Sequence, residues 1–144
     1  MSSDDRASGS DDHPSGLSGR YGPLALRVME RVWRDAPVDV RTVHSELVRD
    51  GQQIAYSTVK TIMERLVVKG ELTREREGRQ FIYSPVRTRA ETEALVTRGA
   101  VDELLDRHGD LAVSFFVDRA RQDPAQLARL RQMLREMEAE DGDD

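Results

Sequence analysis

Between Lys69 and Pro85 the hydrophobic period of the chain changes, and that change restricts what its first half can fold into. Upstream the apolar residues recur at helical spacing: Leu24, Val28, Met29, Val32 and Trp33, then Val40, Val43, Leu47 and Val48, then Val59, Ile62, Met63 and Leu66. Downstream of Gly70, Phe81 and Tyr83 alternate with Gln80 and Ile82, and Gly78 supplies the permissive backbone of a hairpin turn between stretches 71–77 and 79–84. The punctuation agrees with this division. Gly22-Pro23 suits a helix start, because the N–H that proline lacks would be unpaired there anyway. Asp35-Ala36-Pro37 stops the first helix, Val38 suits a short strand, and Asp39 is placed as the N-cap of the second. Asp50-Gly51 closes the second helix, Gly70 the third (about 55–69), and Pro85 the second strand. Three helices followed by a two-stranded hairpin is the element order of a winged helix-turn-helix, so the fold class is mainly α with a β-hairpin wing.

Helical spacing returns at 87. Segments of about 88–107 and 110–121 carry Ala90, Ala94, Val101, Leu104 and Leu105, then Leu111, Ala112, Phe115 and Phe116. A third begins at Asp123-Pro124, where Asp123 and Gln126 have capping-box spacing, and carries Leu127, Leu130, Leu134 and Met137. That narrow seam on a strongly charged helix suits packing against partner helices rather than burial in a broad core. The acidic end from Glu138 is expected to fray. Residues 1–19 are Ser, Gly, Asp, His and Pro with Leu17 as the one large apolar residue, so this acidic tail is expected to be disordered. The expected domains are therefore the tail 1–19, a winged-helix domain 20–86, a helical domain 87–140 and an acidic end 141–144.

The whole chain carries a net charge of −5, which taken alone argues against a nucleic-acid partner. The charge is not evenly spread. Residues 20–89 hold fourteen basic and nine acidic side chains, net +5, whereas 1–19 carry −3 and 90–144 carry −7. The basic segment coincides with the three helices and the wing. A helix fits the DNA major groove and presents its exposed N-terminal half to base edges. On the third helix Ser57, Thr58, Lys60 and Thr61 fall outside the buried stripe: hydroxyls that bond base edges or phosphates, and a lysine that reaches guanine acceptors or a phosphate. Arg74, Arg76 and Arg79, on or beside the wing, are placed to meet phosphates or the minor groove. Lys60 is one of two lysines against twenty arginines, a bias that also arises from arginine-rich codon usage. The wing arginines, in a solvated hairpin, would serve only to offset Glu75 and Glu77.

Several classes are disfavoured. Zero cysteines exclude disulfides, thiolate zinc sites, iron–sulfur clusters and a cysteine nucleophile. No metal or other cofactor is expected. His13, His44 and His108 are scattered without a second ligand at metal spacing, and His44 reads as a surface or phosphate-adjacent side chain. No phosphate-binding glycine loop or nucleophile elbow is present, so the chain is not expected to be an enzyme. No apolar run approaches the ~20 residues that span a bilayer, and 1–19 lacks a signal-peptide core, so the expected compartment is the cytoplasm. A winged-helix protein-interaction module is the remaining rival, and the focused positive charge argues against it.

The strings that carry these features also resemble a family. Gly22-Pro23-Leu24 through Val28-Met29 to Val32-Trp33, Val38 to Val43, Tyr56 to Leu66, Lys69-Gly70-Glu71-Leu72 and Glu77 to Pro85 are similar to the penicillinase-repressor (BlaI/MecI) family, over residues 20 to about 137. The resemblance implies a cytoplasmic winged-helix repressor, homodimeric through its C-terminal helices, on a palindromic double-stranded DNA operator with TACA/TGTA-like half-sites. It implies recognition-helix contacts from Ser57, Thr58, Lys60 and Thr61, and wing contacts from the arginines near Gly78. The dimer interface is expected to use Leu95, Val101, Leu105, Phe115, Phe116, Leu127, Leu130 and Leu134. In the antibiotic-resistance members a membrane sensor triggers cleavage at an Asn-Phe bond in the C-terminal helices. The matching bond here is Phe115-Phe116, without the asparagine. The copper-responsive relatives carry a C-terminal cysteine cluster, which this chain lacks.

Overall fold

The computed structural model describes residues 16–142. A short helix α1 (Gly16–Tyr21) precedes α2 (Pro23–Asp35), α3 (Val40–Arg49) and α4 (Tyr56–Val68). Strands β1 (Leu72–Glu77) and β2 (Gln80–Pro85) follow, then α5 (Arg89–Arg121) and α6 (Pro124–Gly142). The chain forms two compact units, the first running through Thr97 and the second from Arg98 onward.

In the first unit the helical stripes close on one another. Val28, Met29 and Val32 of α2, Val43 and Leu47 of α3, and Val59, Met63 and Leu66 of α4 are buried in one cluster with Leu72 and Tyr83 of the hairpin. Each such side chain contributes roughly 1.5–3 kcal/mol of hydrophobic stabilisation. Asp39 caps α3 by accepting from the Thr42 amide at 2.8 Å. Gly70 ends α4 with φ of 82°. Its N–H bonds the Val67 carbonyl while the Glu71 N–H reaches back to that of Leu66, the paired bonds of a Schellman motif. This turn delivers the chain into an antiparallel hairpin in which Arg74 faces Tyr83, Arg76 faces Phe81 and Glu77 faces Gln80. Gly78 (φ 67°) and Arg79 form the two-residue connection. Positive φ at the first position alone is the sign pattern of a type II′ turn, which suits the strand twist. Val38 exchanges two backbone hydrogen bonds with Tyr83, adding a one-residue bridge to the wing. The result is a winged helix-turn-helix followed by C-terminal helices.

Three details differ from the sequence expectation. Of the acidic tail 1–19, residues 1–15, His13 among them, lie outside the described residues. Residues 16–19 are helical, held by the bond from the Gly22 N–H to Ser18 and by the anchoring of Arg20 and Tyr21 on Glu71. The start of α5 belongs to the first unit: Trp33 Nε1 donates to the Arg87 carbonyl at 3.0 Å, and Thr92 is buried. Thr88 and Glu91 cap this start reciprocally, each accepting from the other's amide, a capping box readable as Thr88-x-x-Glu91 but not anticipated. Finally, α6 continues through the acidic run to Gly142, because Glu and Ala sustain a helix well; Asp143 and Asp144 lie outside the described residues.

In the second unit the helical segments expected on either side of 108–109 form one run with a kink at His108 (φ −139°, ψ 41°). Asp123 caps α6, accepting from the Ala125 amide at 3.1 Å. Among the described residues, no helix is long and apolar enough to cross a membrane.

Candidate nucleic-acid interface

The surface of α4 is set by what its core stripe leaves out. With Val59, Met63 and Leu66 turned inward, Ser57, Thr58, Lys60 and Thr61 are all exposed, as the spacing predicts. Tyr56 joins them at the helix start and is half-exposed. Ala55 occupies the N-cap position with extended backbone and offers no side-chain acceptor. The first N–H groups of α4 are therefore left uncapped and point at whatever approaches the helix end, a ready anion site by dipole and by donor count. His44 fixes the approach to this end: its Nε2 donates to the Ile54 carbonyl at 2.9 Å and its ring meets Tyr56 edge-on at 5.8 Å. His44 is thus a positioning side chain for the turn before α4 rather than one left free on the surface.

The wing arginines separate into different environments. Arg74 pairs with Glu64 of α4, and its guanidinium also lies over the Phe81 ring at 4.1 Å. Arg76 sits over the same ring at 5.7 Å and donates from Nε to the Gly78 carbonyl at 3.2 Å. Arg79, in the turn, is exposed. Glu64 also accepts from the Tyr83 hydroxyl. That bond holds the Glu64 carboxyl below its ordinary value against the opposing effect of burial, with Arg74 adding to it. Burial first, and then the bond to Glu64, push the Tyr83 phenol up to about 12. One carboxylate therefore ties helix and wing together and occupies Arg74.

Between α4, the start of α3 and the wing lies a groove of about 400 Å³, lined by Arg41, Tyr56, Lys60, Arg79 and Phe81 among others. Three cations converge on it. Arg41 was not singled out from sequence, although a signal exists. It lies in the first turn of α3, which holds no acidic residue, and the helix dipole disfavours a cation there by roughly 0.3–1 kcal/mol. A cation kept at such an end suits an external anion.

Ion pairing sorts the fourteen basic side chains of 20–89. Arg20, Arg31, Arg34, Arg74, Arg87 and Arg89 lie within salt-bridge distance of carboxylates. Among the described residues, the other eight, Arg27 on α2, Arg41 and Arg49 on α3, Lys60, Arg65 and Lys69 on α4 and its C-cap, and Arg76 and Arg79 on the wing, form no salt bridge. The unneutralised charge of this unit therefore falls largely on α3, α4 and the wing. Structural pairing takes up much of the rest. Glu71, buried at the base of β1, accepts from Arg20 Nε at 3.1 Å and from the Tyr21 hydroxyl at 2.7 Å, with Arg87 at 3.6 Å. Burial alone would raise its carboxyl, but the bonds from Arg20 and Tyr21 outweigh this and hold it below the ordinary value.

The side chains expected to form a dimer interface are largely exposed. Leu95, in the first unit, is 43% exposed. In the second unit Val101, Leu105, Phe115, Phe116 and Leu134 are exposed, while Leu127 and Leu130 are half-buried. Val101, Leu104, Leu105, Phe115 and Phe116 line an apolar groove of about 580 Å³ spanning the His108 kink. Among the described residues no group of three His, Asp or Glu side chains is arranged to hold a metal ion.

Comparison with known proteins agrees with the resemblance drawn from the motifs. The family model described as penicillinase repressor matches residues 21–136. The chain is 35% identical to a transcriptional regulator BlaI of Mycobacterium tuberculosis over 125 residues, covering 85% of this chain and 88% of that protein. It is 33% identical to a penicillinase repressor of Bacillus licheniformis over 60 residues, covering 42% of this chain and 46% of that one. Among solved structures, the Bacillus licheniformis BlaI monomeric form in complex with the blaP half-operator aligns with a TM-score of 0.41 and 30% identity, over 46% of this chain and 79% of that chain. Matched over residues 21–136, this chain belongs to the penicillinase repressor family, whose members are transcriptional repressors and not enzymes.

Proposed function

We propose that the protein represses transcription as a cytoplasmic homodimer bound to a palindromic operator, each protomer reading one half-site. In this reading residues 20–86 bind DNA and 87–140 form the dimer. The observation that carries it is the exposed hydroxyl-and-lysine face of α4, uncapped at its N-terminus and flanked by Arg41 and Arg79 in one groove. Ser57, Thr58, Lys60 and Thr61 meet base edges and nearby phosphates in the major groove. Arg41, Arg76 and Arg79 take phosphates on either side, and Arg74 acts through Glu64 by placing the wing. The family suggests TACA/TGTA-like half-sites. Leu95, Val101, Leu105, Phe115, Phe116, Leu127, Leu130 and Leu134 supply the apolar surface buried in the dimer.

The test is a fluorescence-anisotropy salt series on a palindromic TACA/TGTA duplex and on a scrambled duplex of equal length. Phosphate contacts release counterions, so log Kd must rise steeply with log salt, and the palindrome must bind at least tenfold more tightly than the scramble, about 1.4 kcal/mol. Absence of salt-dependent binding to either duplex would overturn the reading in favour of a protein-interaction module.

A further inference from the structure

The two ends of α4 differ in what stands beside them. At its last turn Arg65 and Lys69 are one helical repeat apart, so they share a face, and neither forms a salt bridge among the described residues. They line a recess of about 160 Å³ whose other wall is Arg20, Tyr21 and Glu71. Arg20 is neutralised by Glu71, which leaves the outer edge of the recess to Arg65 and Lys69.

The position of α1 brings a second part of the chain to this edge. Arg20 and Tyr21, at the end of α1, are fastened to Glu71. Gly16, where α1 begins, is four residues from Arg20, about 6 Å along the helix axis. The described chain therefore begins about one helical turn from Arg20, which lines the recess, and segment 1–15 is covalently joined there. It carries Asp4, Asp5, Asp11 and Asp12 against Arg6, net −3. Asp12 is four residues from Gly16 and can reach no farther than about 14 Å from it. Tethering of this kind gives an effective concentration of order millimolar, enough for a weak electrostatic contact to be populated.

We propose that the acidic segment 1–15 docks on the cationic edge formed by Arg65 and Lys69 and competes there with nucleic-acid phosphate. The competition, though not the docking, rests on the DNA-binding function proposed above. Complementing the C-terminal dipole of α4 would account for two cations at this end. That role requires no carboxylate from 1–15, and the experiment separates the two.

The chain has only two lysines, Lys60 and Lys69, so zero-length carbodiimide cross-linking of carboxylates to amines gives a simple readout by peptide mass spectrometry. An amide between Lys69 and Asp11 or Asp12 is expected in the full chain at low salt. It should be lost near 1 M salt, where the screening length falls to about 3 Å. No such cross-link, or cross-links to Lys60 alone, would overturn the docking. The full chain with Asp4→Asn, Asp5→Asn, Asp11→Asn and Asp12→Asn should bind a scrambled duplex roughly threefold more tightly at low salt and equally at high salt. Adding Lys69→Gln should remove that difference. Equal binding of the two chains at low salt would overturn the competition. If neither chain binds duplex DNA, the DNA-binding function fails, and the cross-link still decides the docking.

Discussion

The Tyr83 hydroxyl on β2 donates to the Glu64 carboxylate on α4, so the buried ring of the wing is bonded to the helix that carries the candidate base contacts. Tyr83 is 1% exposed and also makes the backbone bridge to Val38. The wing is thus held from two sides, and its tip needs no further support from Arg79. Glu64 also holds Arg74. One carboxylate, a buried phenol and the end of a wing arginine are therefore joined at the seam between helix and wing.

This arrangement gives Glu64 a pH signature. Its carboxyl is held below the ordinary value by the Tyr83 hydroxyl, so its contribution to stability is complete above the unfolded value of 4.5 and disappears as pH falls through the folded one. Glu64→Gln should lower stability by about 1 kcal/mol at pH 7, allowing for solvent screening of a one-third-exposed group. The gap from wild type should narrow as pH falls below the ordinary value of 4.5 and the Glu64 carboxylate protonates. Urea titrations at several pH values check this. A gap that persists unchanged at pH 3 would mean that shape, not charge, explains the loss.

At Ala55 stability and binding are expected to part. Ala55 occupies an N-cap position whose preferred residues accept a hydrogen bond from the following turn. Ala55→Asp should stabilise the fold by about 1 kcal/mol by supplying that acceptor. The same carboxylate would stand where a phosphate is proposed to meet the uncapped N–H groups, so affinity for duplex DNA should fall by at least about tenfold. A more stable protein with undiminished DNA affinity would remove the α4 N-terminus from the interface.

The basic side chains are not expected to be equivalent. Lys60→Ala, Arg79→Ala and Arg41→Ala should each weaken duplex binding by about 1–3 kcal/mol if the side chain reads a base, or reduce the salt slope by about 1 if it contacts a phosphate. Arg74→Ala should cost less affinity, because its guanidinium is occupied by Glu64. In a Glu64→Gln background, where Arg74 is released, Arg74→Ala should cost clearly more. This non-additivity is measurable as a double-mutant cycle. Additive effects at these two positions would mean that Arg74 reaches DNA independently of Glu64.

What was legible in the sequence followed local rules. Helical stripes, the Asp39 cap, the Gly70 stop and the Gly78 turn each depend on residues a few positions apart, and each places an element where the structure has it. The exposure of Ser57, Thr58, Lys60 and Thr61 followed from the stripe of α4 alone. The pairings that decide which cations stay free did not. Arg20 meets Glu71 across 51 positions, and Glu64 meets Tyr83 across 19; no periodicity links such pairs. For the same reason Arg74, Arg76 and Arg79 looked alike in sequence, whereas only Arg79 is placed in the turn facing the groove. In sequence residues 16–19 are indistinguishable from a polar tail, because Glu71, which anchors the end of their helix through Arg20 and Tyr21, lies on the far side of three helices along the chain.

The C-terminal helices carry the last prediction. Among the described residues the second unit has one hydrophobic residue in the buried class, Ala120, while Val101, Leu104, Leu105, Phe115, Phe116 and Met137 are exposed. A helical segment with so little interior cannot offset its ordering entropy alone, and contiguous apolar surface of this kind signals a partner. If the partner is a second copy, the 3-4 seam of α6 is the most direct place to break it. Replacing Leu130 and Leu134 together with Asp should place two carboxylates per protomer in the interface and convert dimer to monomer in sedimentation velocity at micromolar concentration. The first unit should keep its fold. Affinity for a full palindrome should fall to near that for a single half-site, because each protomer then binds alone and the gain from tethering two reading heads is lost. A monomeric variant that still binds the full palindrome as tightly as the parent would show that the two-fold symmetry of the site is not read through these helices.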